Sequence, residues 1–335
     1  MKRRLVAGIA ATAAALTARR YLANRAAMGD VAPELRSPLL WMLSPPSNMG
    51  MLPMTRFNSR LRTPSGDGVT VTEHRSSEPG VRMLVTAPKN SDQRRAAVLW
   101  IHSGGFVVGS PQFEAFVTGQ IAREIGAVVV APAYRLAPEH PFPAALDDCM
   151  AALSWVGANA DAIGVDANRI AVAGASAGGG LAASMAQRCH DEGIPLAAQV
   201  LVYPMLDDRT ALVPDHGPRG HFMWTPASTR FGWASYLGCR PGASGVPEYA
   251  VPARRSDLTG LAPAWIGVGD LDLLHDESVV YAERLREAGV DCELIIVPGM
   301  YHAADGIARN APSMMRFRAG MLDHLRTHLT AEEGG

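Results

Sequence analysis

The sequence lacks a dominant charge, since 31 Lys and Arg residues stand against 32 Asp and Glu residues and give a formal net charge of −1. Proteins that recruit nucleic acid through their overall field carry a clear positive excess, so we expect no nucleic-acid partner. A chain without a global field is better suited to a neutral small molecule than to a charged polymer.

Cysteine is also scarce. The four residues show neither the C-x-x-C spacing of a zinc site or redox pair nor a histidine at a typical ligand spacing: Cys149, Cys189, Cys239 and Cys292. We therefore expect buried thiols, and neither a zinc site nor a redox pair. A disulfide stays open only if the protein is exported.

The N-terminus lacks an apolar run long enough to span a bilayer, because residues 5–18 fall short of the roughly 20 residues required. Basic residues flank this run, which partly resembles a signal peptide. Arg19 and Arg20 follow it directly, so an interfacial helix or an uncleaved anchor fits at least as well. Membrane-surface association through residues 1–25 and a plain cytoplasmic location both stay open.

The pattern that is present is that of an α/β protein of 335 residues. Short apolar runs alternate with helical patterns, which is typical of a parallel sheet covered by helices. The runs are continuously hydrophobic, as strands buried on both faces are. We place strands at residues 96–101, 127–131, 170–173, 200–203, 264–268 and 294–297, an edge hairpin at 69–73 and 81–87, and helices at 276–288 and 313–327.

Two stretches interrupt the alternation: the residues before about Arg62 and the segment from Asp207 to about Cys239. The second contains large apolar side chains that a disordered segment would not carry. We expect both stretches to pack together as a cap, with mere surface elaboration as the alternative. The predicted organisation is an N-terminal helix and cap segment over 1–62, a core over 63–206, a cap insertion over 207–239 and further core over 240–335.

One glycine-rich turn carries a candidate nucleophile. The run Gly174-Ala175-Ser176-Ala177-Gly178 has the form G-x-S-x-G and joins a predicted strand to a helix-compatible segment. Such a turn exposes the serine at a helix N-terminus, where free N–H groups favour developing negative charge. A phosphate-binding loop would instead need G-x-G-x-x-G after the first strand. The context favours Ser176 as a nucleophile.

A second glycine-rich element, His102-Ser103-Gly104-Gly105-Phe106, follows the strand predicted to end at Ile101. Glycines allow backbone N–H groups to point into a cavity, and acyl transfer needs such donors at the carbonyl oxygen. Gly104 and Gly105, with Ala177, are the candidate donors. A plain glycine turn with a structural histidine is the alternative.

A serine nucleophile needs a base, and the base needs an orienting acid. His302 comes just past a late strand and before the last helix, whereas His275 begins an earlier helix, so chain order favours His302. Asp270, Asp272 and Asp276 compete for the acid. Of these, Asp276 fits a helix-capping position better.

Together these motifs resemble those of the hormone-sensitive-lipase-like esterases, the bacterial family IV lipases of the α/β-hydrolase superfamily. The likeness covers most of the chain from about Val69. It rests on His102–Phe106, the Y-R-L-A-P-E-H-P-F-P-A-A block at 134–145, the serine motif at 174–179, Tyr203-Pro204, the D-x-L-x-D-E run at 272–277, and the histidine after Pro298-Gly299.

The resemblance implies an α/β-hydrolase fold, with a mostly parallel central sheet, flanking helices and a helical cap. It places the acid on Asp272, four residues before the Asp-Glu pair. It places the oxyanion donors on Gly104, Gly105 and Ala177. The implied activity is hydrolysis of short- to medium-chain acyl esters of small molecules by Ser-His-Asp acyl transfer, without metal or cofactor.

Three departures from the family pattern bear on substrate preference. Ser103 replaces the first glycine of H-G-G-G, Ala175 replaces an aspartate, and Ala303-Ala304 replace Gly-Phe. None of them removes a catalytic group.

The insertion supplies the candidate substrate-binding residues Trp224, Phe231 and Trp233, because ligand pockets are lined mostly by apolar and aromatic side chains. Their alternative role is to hold the cap together. The rival functions are a membrane-associated lipase, an amidase or deacetylase, and a non-enzymatic ligand receptor on the same fold. A homodimer is also open.

Overall fold

The structure, a computed structural model, describes residues 25–42, 45–59, 61, 64–89 and 94–330. Its centre is an eight-stranded sheet in the order β1-β2-β4-β3-β5-β6-β7-β8. The pairs β1/β2 and β2/β4 are antiparallel, and all the others are parallel. The strands are β1 Val69–Arg75, β2 Arg82–Pro88, β3 Arg95–Ile101, β4 Val128–Pro132, β5 Val165–Ala175, β6 Ala198–Val202, β7 Ala264–Gly269 and β8 Cys292–Val297.

Helices cover both faces of the sheet, so the core has three layers. One hydrophobic cluster joins the sheet to α4, α5, α6 and α7, and a second joins the opposite face to α3 and α9. The helices are α1 Leu39–Met42, α2 Leu52–Ser59, α3 Ala115–Ile125, α4 Ala144–Ala158, α5 Ala177–Asp191, α6 Pro226–Leu237, α7 His275–Glu287, α8 Ala304–Ile307 and α9 Pro312–Leu329.

The strands expected from apolar runs are all present, and the edge hairpin is confirmed as β1 and β2. The expectation of burial on both faces is wrong for β8. Leu294 and Ile295 are only half-buried and Ile296 is 42% exposed. The cause is position, because β8 pairs with β7 alone at the edge of the described sheet.

The insertion at 207–239 is more regular than expected, because it contains the twelve-residue helix α6. Thr225 caps this helix by accepting a hydrogen bond from the Ser228 amide, Pro226 occupies its first position, and Gly238 ends it with φ +66°. These are ordinary helix signals, which the Pro and Gly residues earlier in the insertion obscured. The domain boundaries themselves stay a prediction.

The N-terminal segment packs on loops of the core. The Ala32 amide donates to Gly299 O at 3.1 Å, and Tyr301 Oη donates to Leu35 O at 3.1 Å. The helix predicted over residues 1–25 lies outside the described residues except at its end, where residues 25–30 are helical. None of the helices described is long and apolar enough to cross a membrane.

The cysteines are free thiols. Cys149, Cys189 and Cys292 are buried as expected, but the expectation is wrong for Cys239, which is exposed. Cys239 comes two residues after the end of α6, in the turn that returns the chain to the core. Among the residues described, no group of three or more His, Cys, Asp or Glu side chains is arranged to hold a metal ion.

Candidate active site

Ser176 stands at the junction of β5 and α5 with φ +56° and ψ −119°, a strained conformation for a residue other than glycine. Hydrogen bonds on both sides fix it: its amide donates to Val202 O at 2.9 Å, and its carbonyl accepts from the Gly180 amide at 3.0 Å. The turn is tight enough that a Cβ at Gly178 would come within 2.0 Å of Ile101 O. The G-x-S-x-G glycine after the serine is therefore a steric requirement.

A continuous hydrogen-bonded chain runs from this serine. Ser176 Oγ lies 3.0 Å from His302 Nε2, and His302 Nδ1 lies 2.8 Å from Asp272 Oδ2. All three side chains are buried, with Asp272 fully so. The carboxylate at Nδ1 places the imidazole proton there, which leaves Nε2 free to accept the serine proton. The sequence-predicted trio is thus brought into contact.

The three candidate acids have separate positions. The Asp272 carboxylate also accepts from the Leu274 amide at 3.0 Å, which fixes its orientation toward His302. Asp270 accepts from the Gly299 amide at 2.6 Å, so it ties the loop after β7 to the loop that carries the histidine. Asp276 was expected to cap α7, but it lies inside the first turn and pairs with Arg219. The rival base His275 pairs with the same Asp276 carboxylate at 2.8 Å.

The loop after β3 forms the opposite wall of the site. No hydrogen bond between described residues uses the amides of Gly104, Gly105 or Ala177, so these donors are available to a ligand. Gly105 has φ +59°, and a Cβ there would lie 2.2 Å from the Trp224 ring. An L-residue at this position would be strained and would also displace that indole.

His102 organises this loop rather than acting as a base. Burial lowers the pKa of His102 to about 4, so its imidazole is neutral near pH 7. Its Nδ1 lies 2.8 Å from Ser103 O and therefore donates to that carbonyl. Tyr134 stacks on the imidazole at 4.0 Å, and its hydroxyl donates to His102 O at 3.1 Å.

Comparison with known proteins shows which family this chain is similar to. Residues 98–305 match a family model described as an alpha/beta hydrolase fold. The chain is 35% identical over 285 residues to a carboxylesterase, NlhH, of Mycobacterium tuberculosis, which covers 83% of each chain. It is 35% identical over 221 residues to an ethyl acetate hydrolase of Pseudomonas putida, with 62% of this chain and 65% of that protein covered.

The structure of a bacterial heroin esterase matches 91% of this chain and 99% of its own at 35% identity, with a TM-score of 0.82. This chain belongs to the hormone-sensitive-lipase-like branch of the α/β-hydrolase family. NlhH and the heroin esterase are esterases by name, and this chain is a carboxylic-ester hydrolase.

Ser103, a departure from the glycine of this esterase family, has a specific partner. Its hydroxyl donates to Glu114 Oε1 at 2.5 Å, and its amide donates to the same oxygen at 3.0 Å. Trp100 Nε1 donates to the other carboxylate oxygen at 3.0 Å. Burial raises the pKa of Glu114, while the hydrogen bonds from Ser103 act in the opposite direction. Sequence analysis missed Glu114, because nothing in the sequence links it to a loop eleven residues earlier.

Tyr203 and Asp305 support the histidine of the hydrolase from the other side. The Tyr203 ring meets the His302 imidazole edge-on, with ring centroids 4.6 Å apart. Its hydroxyl donates to Asp305 Oδ1 at 2.8 Å, and desolvation raises the pKa of the half-buried Asp305 carboxyl. In the sequence Tyr203 stands out only as part of the Tyr203-Pro204 motif, and no pattern singles out Asp305.

Two further departures affect the backbone more than the chemistry. Ala303, which replaces a glycine of the family pattern, has φ +60° and ψ +25° in the left-handed region. Ala304 is fully buried in the second hydrophobic cluster. Ala175 is buried at the end of β5, so the missing aspartate leaves an apolar contact behind the nucleophile.

The three aromatic residues expected over the cleft have different environments. Trp224 touches Gly105 and lies 6.0 Å, centroid to centroid, from His302, so it stands between the two walls of the site. Phe231 is half-buried beside the first cluster. Trp233 is completely buried and packs on Phe106 at 5.2 Å, which is the packing role given as its alternative.

Proposed function

We propose that this carboxylic-ester hydrolase cleaves short- to medium-chain acyl esters with Ser176 as nucleophile, His302 as base and Asp272 as the acid that orients the base. The observation that supports this assignment is the chain of two hydrogen bonds, 3.0 and 2.8 Å long, that links the three side chains. Nucleophile, base and orienting group in this order are the requirement for activating a serine hydroxyl.

In the first half-reaction His302 Nε2 takes the Ser176 proton as Oγ forms a bond to the ester carbonyl carbon. The carbonyl oxygen becomes an oxyanion, which the amides of Gly104, Gly105 and Ala177 stabilise. His302 then returns its proton to the departing alkoxy oxygen as the carbon–oxygen bond breaks. The products are an alcohol and an acyl-enzyme on Ser176.

In the second half-reaction water replaces the alcohol. His302 takes a proton from a water molecule as the water oxygen attacks the acyl carbon. The carbonyl oxygen of the acyl group becomes the second oxyanion, and the same amides stabilise it. The proton passes to Ser176 Oγ as the acyl bond breaks, which releases the carboxylic acid. The residues return to their starting protonation states, so no metal or cofactor enters the balance.

Trp224 and Phe231 are the proposed acyl-side contacts, and Trp224 has the stronger support because it touches the oxyanion loop. A series of p-nitrophenyl esters from acetate to palmitate tests the acyl range. We expect the highest kcat/KM at short to medium chains and a shift of that optimum in Trp224→Ala. An unchanged optimum with a lower Tm would show that Trp224 only packs the insertion.

An amidase or deacetylase would use the same machinery, and anilide analogues of the preferred ester test that alternative. The receptor alternative predicts binding without turnover, and the ester series tests this directly. Membrane-surface association through residues 1–25 and homodimer formation stay proposals. Strand β8 lies at an edge of the described sheet, and a second copy would dimerise by pairing its own β8 with this strand.

A further inference from the structure

Large apolar side chains are exposed at one short stretch of the N-terminal segment. Met49, Met54, Phe57 and Leu61 are 56%, 63%, 68% and 59% exposed. Met54 and Phe57 lie three residues apart on α2, so they share a side of that helix. A concentration of this kind marks an interaction site more often than scattered exposed residues do.

The opposite side of α2 is firmly attached to the core. Leu52 is buried in the first hydrophobic cluster. Arg56 donates to Val107 O at 2.8 Å, to Ala137 O at 2.8 Å and to both carboxylate oxygens of Glu139 at 2.8 Å. Leu52 and Arg56 therefore fix one side of the helix to the core, while Met54 and Phe57 stay exposed to solvent.

The charged residues are also distributed unevenly between the N-terminal segment and the rest of the chain. Residues 1–62 carry ten Lys and Arg against two Asp and Glu, a charge of +8, whereas residues 63–335 carry 21 against 30, a charge of −9. The near-neutral total hides this division. Apolar side chains beside an excess of arginine are the combination that binds anionic lipid surfaces.

We propose that Met49, Met54, Phe57 and Leu61 form a docking surface for an anionic lipid bilayer. A second copy of the chain fits less well, because two segments that each carry a net charge of +8 in their sequence repel one another. An anionic bilayer satisfies both features, since its headgroups attract the arginines and its acyl region accepts the four side chains.

The location gives this surface a role in ester hydrolysis, and this step rests on the proposed function. Arg56 joins α2 to Val107, two residues beyond Gly105 of the proposed oxyanion hole. A bilayer held against the exposed side of α2 would therefore be separated from the proposed oxyanion loop by this one helix. The substrate class that gains from this arrangement is an apolar ester dissolved in lipid.

The test measures vesicle binding of the full chain carrying Ser176→Ala, which prevents lipid hydrolysis. Phosphatidylglycerol vesicles and phosphatidylcholine vesicles are compared by co-sedimentation. The variant is Met54→Gln with Phe57→Gln. The matched control is Val280→Gln with Met315→Gln, because these residues are 52% and 57% exposed on α7 and α9.

We expect tight binding to phosphatidylglycerol, at least about tenfold weaker binding for the α2 variant, and no change for the control. Added salt should weaken the binding that remains. Equal binding of variant and control, or no binding of the parent protein to phosphatidylglycerol, would overturn the proposal. So would a dimer in light scattering that the α2 variant dissociates while no vesicles are bound.

Hydrolysis of soluble p-nitrophenyl acetate separates this result from the proposed function. With Ser176 intact, the α2 variant should hydrolyse it like the parent. A parent protein that binds vesicles but does not hydrolyse the ester would contradict the function and leave the docking surface in place.

Discussion

The two walls of the active site are built in different ways. The base wall consists of the loops after the neighbouring strands β7 and β8, and its hydrogen bonds run among Asp270, Asp272, Gly299 and His302. The oxyanion wall is one loop after β3, and its supports come from many parts of the chain. Those supports are Glu114, Tyr134, Arg56 and the Trp224 ring.

This difference has a chemical consequence. In the proposed mechanism the base wall depends on three side chains that act as one unit, so the loss of any of them should remove nearly all activity. The oxyanion wall is proposed to act through several backbone amides, each held by separate neighbours, so its losses should be graded. Substitutions in the two walls should therefore differ in size and in kind.

The largest effect should come from Asp272→Asn in the base wall. Without the carboxylate the imidazole loses its orientation and its tautomer, and we expect kcat to fall roughly 10³- to 10⁴-fold. Ester hydrolysis at saturating substrate measures this loss. Asp270→Asn is the control, because Asp270 holds the Gly299 amide rather than His302. A larger loss in Asp270→Asn than in Asp272→Asn would contradict the assignment of the acid.

Gly105→Ala should give the next largest loss, from the oxyanion wall. Its Cβ would meet the Trp224 ring and force the loop to shift, which should cost about 100- to 1000-fold in kcat. Gly80→Ala is the control for backbone strain, since Gly80 also has a positive φ, +79°, but a Cβ there would meet nothing within 4 Å. Similar kcat values for the two variants would mean that backbone strain, and not the oxyanion donors, accounts for the loss.

Glu114→Gln should have a smaller effect, because Glu114 contacts the oxyanion wall through Ser103 and touches none of the proposed donors. We expect kcat to fall about three- to tenfold with KM nearly unchanged, as one hydrogen bond weakens. In a Ser103→Gly background, Glu114→Gln should lower kcat by a smaller factor, since the hydroxyl that donates to Glu114 is gone. Additive losses in the double variant would show that Glu114 supports the fold independently of Ser103.

The smallest effect should be on stability. Ala303→Gly removes a left-handed alanine next to the base, and it should raise the free energy of unfolding by up to about 1 kcal/mol. Urea denaturation measures this change, and kcat should stay close to that of the parent. A destabilised variant would show that the Ala303 methyl group contributes more by packing than its backbone conformation costs.

The same contrast explains what could be predicted from the sequence. Ser176, the Asp270–Asp272 loop and His302 follow strand ends in a fixed order, so the buried apolar runs place them at one edge of the sheet before any contact is known. The choice of Asp272 over Asp270 needed the family resemblance as well. Helix α7 was predicted to within one residue because acidic residues begin it and Gly289 follows it.

The remaining features depend on tertiary contacts. Glu114 looks like any residue before a helix, and only the folded loop brings it to Ser103. The exposure of β8 depends on its place at the sheet edge, and the buried state of Trp233 depends on Phe106. Hydrophobic patterns identify which side chains avoid water, but they do not identify their neighbours.

The most direct test of the central claim is covalent labelling of the nucleophile. A small fluorophosphonate should form one adduct per chain, peptide mass spectrometry should place it on Ser176, and ester hydrolysis should fall in proportion to labelling. Ser176→Ala should show neither adduct nor turnover, with an unchanged Tm. An adduct on another residue, or full hydrolysis after complete labelling of Ser176, would contradict the account.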